Sequence, residues 1–255
     1  MNALRTVLLL FLLGHAARAD EPVALLQPGE ALTYHVGWGM LGHAGDLKIT
    51  ANAQTAKDNT PRLRVVTTSG TQGLVRMLYS FDGDVWTSFD PSNGRLLDAS
   101  AATRSKKKNT QASISFDYEK REASYIDHLQ PGRSTTLAIP PDKQPMDLIT
   151  ALIQTRMWAL TPGQTRDVLV LFDDEFYPLQ ITAEREETIS TPKGKRKTML
   201  LIPRMIGPPK GMFRRGGEVR VWMSLDKDRL PLRFEVKLKV GTAYAVLTDY
   251  RSPSK

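Results

Sequence analysis

The sequence predicts a mainly β protein: one large curved antiparallel sheet or partial β-barrel with one packed central helix. Three observations predict it. Apolar and polar residues alternate with period two along most of the chain, the links between alternating runs are short and turn-like, and a single mid-chain segment carries strong helical spacing. Pro231 to Val240 (PLRFEVKLKV) is the clearest run: Leu232, Phe234, Val236, Leu238 and Val240 point one way, and Arg233, Glu235, Lys237 and Lys239 the other. A strand with one dry and one wet face reads this way. It also implies antiparallel pairing, because strands of parallel sheets are usually covered on both faces.

In chain order, the first element is not a strand. Arg5 begins a short positive region, Thr6 to Leu13 is an apolar run, and Ala17-Arg18-Ala19 sets small residues before Asp20. This is the pattern of a cleavable secretory leader spanning residues 1–19. The apolar run is far shorter than the roughly 20 residues a spanning helix needs. No cysteine follows it, so a lipid-anchored lipoprotein is excluded, and no later stretch is apolar enough to span a membrane. Residues 20–255 then form a single β-rich domain, exported to a periplasm, of two lobes joined near residues 140–163.

The alternation starts at Leu32, Tyr34, Val36 and Trp38, and continues through Leu47, Ile49 and Ala51, then Leu63, Val65 and Thr67. Further strands are expected at Val85–Phe89, Ser113–Tyr118, Glu122–Ile126, Ser134–Ile139, Arg166–Phe172, Tyr177–Ile189, Lys197–Pro203, Glu218–Leu225 and Ala243–Tyr250. Asp82-Gly83, Pro91-Ser92-Asn93-Gly94, Pro131-Gly132, Pro192-Lys193-Gly194 and Asp226-Lys227-Asp228 supply turns. So many strands on short links make a sheet that must curve, close or stack. Met146 to Leu160 breaks the pattern, with Leu148, Ala151, Leu152 and Thr155 at helical spacing and Ile149, Ile153 and Met157 alongside. Asp147 caps it or sits in its first turn, and Thr161-Pro162-Gly163 stops it. A shorter helical stretch falls at Gly73 to Tyr79.

The chain has 255 residues, a formal charge of +8 and no cysteine. Disulfides, thiol catalysis and thiolate metal sites are therefore excluded, and packing alone must hold the domain. No nucleophile elbow, zinc-protease motif, phosphate loop or dinucleotide fingerprint is present, so neither a catalytic residue nor a cofactor is assigned. Asp173-Asp174-Glu175 at a hairpin corner and Glu184, Glu186 and Glu187 on a strand show no pairing that linear sequence can turn into a catalytic cleft. His35 sits in the first strand, His43 in a turn and His128 near a strand end, without local ligand spacing, and no metal is expected.

Two features carry the functional reading. The basic runs Lys106-Lys107-Lys108, Lys195-Arg196-Lys197 and Arg214-Arg215 are placed at turns. They either protect edges and solubility or meet an anionic envelope surface; export and the lack of interleaved aromatics exclude nucleic acid. Two loops are unusually apolar: Trp38, Met40 and Leu41 in one, and Met205, Ile206, Met212 and Phe213 in the other. Such loops either tuck into the core or line a mouth for a greasy ligand.

Order and spacing of several short motifs carry a family resemblance. Gly29-Glu30-x-Leu32-x-Tyr34-x-Val36-x-Trp38 leads into Gly42, Ala44 and Gly45; Asp147-x-Ile149-x-Ala151-Leu152 leads to Arg156; Val221-Trp222-Met223-Ser224-x-Asp226, Arg229-x-Pro231 and Gly241-x-x-x-Ala245-x-Leu247 close the chain. Together they resemble the bacterial family catalogued as domain of unknown function 3108, from about Gly29 to Tyr250. The resemblance implies an exported, mainly antiparallel β protein and supplies no activity or catalytic residues. The expected function is non-enzymatic binding or handling of a hydrophobic or amphipathic envelope component, lipid or another anionic one. The alternatives are an envelope-assembly module using the basic tips, or a cell-wall or polysaccharide hydrolase. Oligomeric state is not legible.

Overall fold

The structure, a computed structural model, describes residues 26–39, 41–158, 161–238 and 241–253. The expected leader, Met40, Leu160 at the end of the expected helix and Lys239-Val240 of the clearest strand lie outside these, as do the side chains of Leu41, Met212, Arg215 and Leu238.

Among the described residues fifteen strands form one continuous sheet. They are β1 (Ala31–Trp38), β2 (Leu41–Thr55), β3 (Pro61–Thr71), β4 (Phe81–Phe89), β5 (Leu96–Ser105), β6 (Asn109–Asp117), β7 (Glu122–Asp127) and β8 (Thr135–Ala138). There follow β9 (Pro145–Met146), β10 (Thr165–Phe172), β11 (Glu175–Thr191), β12 (Gly194–Met205), β13 (Glu218–Ser224), β14 (Pro231–Leu238) and β15 (Gly241–Arg251). Sequence neighbours pair with each other except β8 and β9, and β1 pairs with β15, so the sheet runs from β8 through β1 and β15 to β9. All pairings are antiparallel except β9 with β10. Among the described residues two α-helices interrupt the strands, α1 (Gly73–Leu78) and α2 (Leu148–Gln154), the latter tightening into a 3₁₀ turn at Thr155–Met157.

The sheet curls until its two margins share a core. Leu171 of β10 lies in the same buried cluster as Ile114 of β6, Ala123 of β7 and Leu32 of β1. The Tyr125 hydroxyl lies 3.3 Å from Asp173, and Arg133 lies 3.6 Å from Asp174. A second cluster fills the β10–β13 side, with Val170, Leu179, Ala183, Leu201 and Met223. Helix α2 serves both, giving Ile153 to the first and Ala151 to the second, and Phe234 packs against each.

The period-two reading places the strands well, with corrections. β5 was not expected: LLDASAATRS offers only small or polar side chains after Leu96 and Leu97, which point to opposite faces, so neither face stands out. Lys195 to Lys197 lie inside β12 rather than in a turn, because the hairpin turns earlier, at Thr191 to Gly194. His43 lies in β2 rather than in a turn. Met205 ends β12 and Trp38 ends β1, so each apolar loop begins as strand. Arg214 and Arg215 lie in a 3₁₀ turn at Gly211–Gly216. The central helix is shorter than expected. Asp147 caps it by accepting from the Thr150 N–H at 2.5 Å, and the Thr155 hydroxyl bonds back to the Leu152 carbonyl at 2.5 Å. Its buried residues are Thr150, Ala151, Ile153 and Gln154, while Leu148 and Met157 face solvent.

Five tyrosines are held above their ordinary pKa, first of all by burial. Tyr118, Tyr125 and Tyr250 are pushed up to about 12, and Tyr34 and Tyr177 are also raised. The phenols donate inward, Tyr34 to the Pro231 carbonyl at 3.1 Å and Tyr118 to the Leu96 carbonyl at 2.8 Å. Between pH about 10 and 12 the folded state therefore keeps protons that the unfolded chain releases. Stability should be full below pH about 10 and fall as pH rises toward 12. Tyrosinate absorbance should lag that of free tyrosine and rise together with loss of the β signal in circular dichroism. Titration of these groups near pH 10 with an unchanged β signal would contradict it.

Candidate functional site

Strand direction divides the connections between two rims. The β1–β2, β3–β4, β5–β6, β7–β8, β10–β11, β12–β13 and β14–β15 links meet at the first rim. The β2–β3, β4–β5, β6–β7, β11–β12 and β13–β14 links meet at the second, beside the start of β1 and the end of β15.

The first rim is apolar. Of the twelve large hydrophobic side chains exposed among the described residues, nine lie there: Trp38, Leu74, Met77, Leu78, Tyr79, Ile126, Leu129, Phe172 and Ile206. Single exposed hydrophobics need no explanation, but a concentration at one end does. Its centre is α1, a helix that buries none of its residues. Leu74, Met77 and Leu78 are 75%, 71% and 79% exposed. Six residues are too few to hold a helix alone, and polar ties fix it instead. The Arg76 guanidinium grips both Asp82 oxygens at 2.8 and 2.9 Å, and the Gln72 N–H donates to the Ala44 carbonyl at 2.8 Å. Held from its polar side, α1 can only present its apolar residues outward.

The same rim carries lysines. Lys106, Lys107 and Lys108 form the exposed β5–β6 tip, and the Lys106 ammonium donates to the Met77 carbonyl at 2.7 Å. Arg104 and Arg214 are also exposed there. Several rim acids are occupied: Asp82 by Arg76, Asp174 by Arg133, and Glu175 by Lys210 at 3.2 Å.

The structure separates the residues singled out from sequence. Trp38 and Ile206 stand exposed at the first rim, whereas Met205 and Phe213 pack against the second core cluster. Lys195 and Lys197 are exposed toward the second rim, and Arg196 pairs with Asp226. The basic runs thus lie at opposite ends of the molecule. Sequence reasoning missed Leu74, Met77 and Leu78 as exposed residues; their i, i+3, i+4 spacing was visible, but it is also the spacing of a core-facing helix.

Two further clusters emerge. At the second rim a cavity of about 890 Å³ is lined by Leu26, Pro28, Leu63, Ile153, Met157 and other side chains around Glu30, Arg156 and Tyr250. Glu30 is 1% exposed. Its carboxylate accepts from Arg156 and Tyr250, both at 2.8 Å, and from the Gln27 N–H at 2.7 Å. At the first rim, the ring nitrogens of His35 and His43 face one carboxylate, that of Asp46, with all three ligand atoms within 4.8 Å of one another. The pairing of β1 with β2 sets His35 directly opposite Asp46.

Among the described residues, no helix is long and apolar enough to cross a membrane. The family model described as "Protein of unknown function (DUF3108)" matches residues 33–248. No curated protein matches the sequence at a significant level. Among solved structures, the chain is similar to the β-barrel-like protein of domain of unknown function DUF1849 from Brucella abortus. That likeness has a TM-score of 0.56 at 7% identity and covers 91% of this chain and 100% of that one. A Bacteroides fragilis protein, provisionally described as exported with a YmcC-like fold, gives a TM-score of 0.33 at 14% identity over 89% and 97% of the two chains. A Parabacteroides distasonis protein provisionally described as a lipoprotein gives 0.31 at 11% over 90% and 97%. The first likeness speaks for a β-barrel-like fold; the other two are too distant to carry an argument.

Proposed function

The chain belongs to the DUF3108 family, and from that premise we propose that it is an exported, non-enzymatic envelope protein that engages amphipathic lipid at an anionic membrane surface through its first rim. The observation that carries this reading is α1: three large apolar side chains held outward beside an exposed lysine tip. A bilayer interface suits such a surface because acyl chains receive the apolar residues while anionic headgroups meet the ammonium groups. The leader pattern of residues 1–19 supports the envelope location.

The two contributions are separable. Burying one leucine-sized side chain is worth about 1.5–3 kcal/mol, and each lysine near an anionic surface about 1 kcal/mol. The form beginning at Asp20 should sediment with vesicles containing phosphatidylglycerol and much less with phosphatidylcholine alone. Leu74→Asp or Leu78→Asp should weaken binding by about tenfold or more. Alanines at Lys106, Lys107 and Lys108 together should weaken it by about a hundredfold at low salt, and by less at high salt. All these residues are exposed, so circular dichroism should stay unchanged. Equal binding to neutral vesicles, or variants that bind like the parent, would remove the reading. Binding abolished by salt but indifferent to Leu74 and Leu78 would favour an acidic protein partner at the basic tips instead.

A further inference from the structure

We propose that His35, His43 and Asp46 form a binding site for a borderline divalent transition-metal cation, of the zinc, copper or nickel class. Two imidazoles and one carboxylate converge on an open surface. His43 Nε2 lies 2.7 Å and His35 Nε2 3.8 Å from Asp46 Oδ1, and the two rings stack with centroids 4.3 Å apart. Ligands bound to one ion at about 2.0–2.2 Å lie roughly 3–3.5 Å apart at tetrahedral or octahedral angles. The observed separations bracket that value, so small side-chain rotations complete the site.

The backbone makes this convergence specific. His35 and Asp46 are register partners on the adjoining strands β1 and β2. His43, three residues before Asp46, would fall on the opposite sheet face if β2 alternated strictly. Between the pairs Val36–Gly45 and Trp38–Leu41 four residue steps of β2 face two of β1, so β2 is irregular at His43, whose ring stacks on that of His35. Gly45 is required beside it, since a Cβ there would lie 2.2 Å from the Gly70 carbonyl oxygen of β3. The Gln72 side-chain amide donates to Asp46 Oδ2, leaving Oδ1 to face both imidazoles. Outer partners of this kind fix a ligating carboxylate in direction.

The donor set selects the class of ion. Calcium and magnesium prefer all-oxygen cages, whereas imidazole with carboxylate suits zinc, copper and nickel. Three protein ligands at an exposed site leave coordination positions for water or for a donor from another molecule. Through Gln72, the residue that precedes α1, the site adjoins the apolar rim, yet its assignment stands without the membrane reading.

The chain has four histidines, of which His15 falls in the leader and His128 bonds to Ser113 at 2.9 Å, away from this cluster. That gives an internal control. Calorimetric titration of the form beginning at Asp20 with zinc chloride should show one ion per chain with a micromolar Kd. Cobalt(II) should give visible absorption bands of a nitrogen- and oxygen-ligated site. His35→Ala, His43→Ala and Asp46→Asn should each weaken zinc by at least about tenfold, and Gln72→Ala by about ten- to a hundredfold. His128→Ala should bind like the parent. Absence of zinc binding below about millimolar concentration would overturn the assignment. So would variants at the three ligands that bind unchanged, or loss of binding in His128→Ala.

Discussion

Replacing Arg156 by alanine will destabilise the fold by about 3–5 kcal/mol, the cost of leaving a buried charge without its partner. Glu30 is nearly inaccessible, and its carboxylate is satisfied by the Arg156 guanidinium, the Tyr250 hydroxyl and the Gln27 N–H. Without Arg156 two neutral donors remain, and neither cancels the charge. The pair also joins distant parts of the chain: Arg156 follows α2, whereas Glu30 precedes β1. Arg156 further donates to the Asp228 carbonyl at 3.3 Å, so the β13–β14 turn loses a tie as well. For a chain of this size each kcal/mol moves the melting temperature by about 2–4 °C, so a drop of about 6 °C or more is expected. Glu30→Gln combined with Arg156→Met should recover much of the loss, because buried pairs are often replaceable once both charges go. A single-variant loss below about 1 kcal/mol would mean that water in the adjoining cavity solvates Glu30, and that the pair does not organise this rim.

This pair also illustrates how sequence and structure divide the information. A link from Arg156 to a strand is a natural expectation for an arginine near a helix end, but the identity of its partner depends on a curl that brings residue 156 beside residue 30. Strands with a dry and a wet face, such as Leu32 to Trp38 and Pro231 to Leu238, declare themselves, because the core demands every second residue. β5 does not, since alanine, serine and threonine suit either face. The side of α2 that packs is not legible for a related reason. Its apolar residues cover most of its circumference, and tertiary packing buries Thr150 and Gln154 while leaving Leu148 outside. The outward turn of α1 depends on the Arg76–Asp82 fork, which spans two elements. The histidine cluster depends on register, and the irregularity opposite Gly37 shifts the β1–β2 register by two residues.

Ile153→Ala should cost about 2–5 kcal/mol, the range for emptying a buried aliphatic site. Ile153 is 1% exposed and belongs to the first core cluster, with Leu171 from one margin of the sheet and Ile114 and Ala123 from the other. Leu148→Ala, five residues earlier on the same helix, should cost less than about 0.5 kcal/mol, since that side chain faces solvent. From sequence the two residues look alike, so their difference measures which side of α2 packs. The size of the Ile153 effect tests more than a cavity. An open sheet has two free margins, β8 and β9, and strand hydrogen bonds do not join them. Apart from the Tyr125–Asp173 and Arg133–Asp174 contacts, what holds them together is side-chain packing around α2, so loosening Ile153 should weaken the cohesion of both margins at once. Urea unfolding followed by tryptophan fluorescence and by far-ultraviolet circular dichroism should then shift together, with one midpoint. Two separated midpoints in Ile153→Ala, against one in the parent, would instead show that each half of the sheet keeps its own core and that the helix only bridges them.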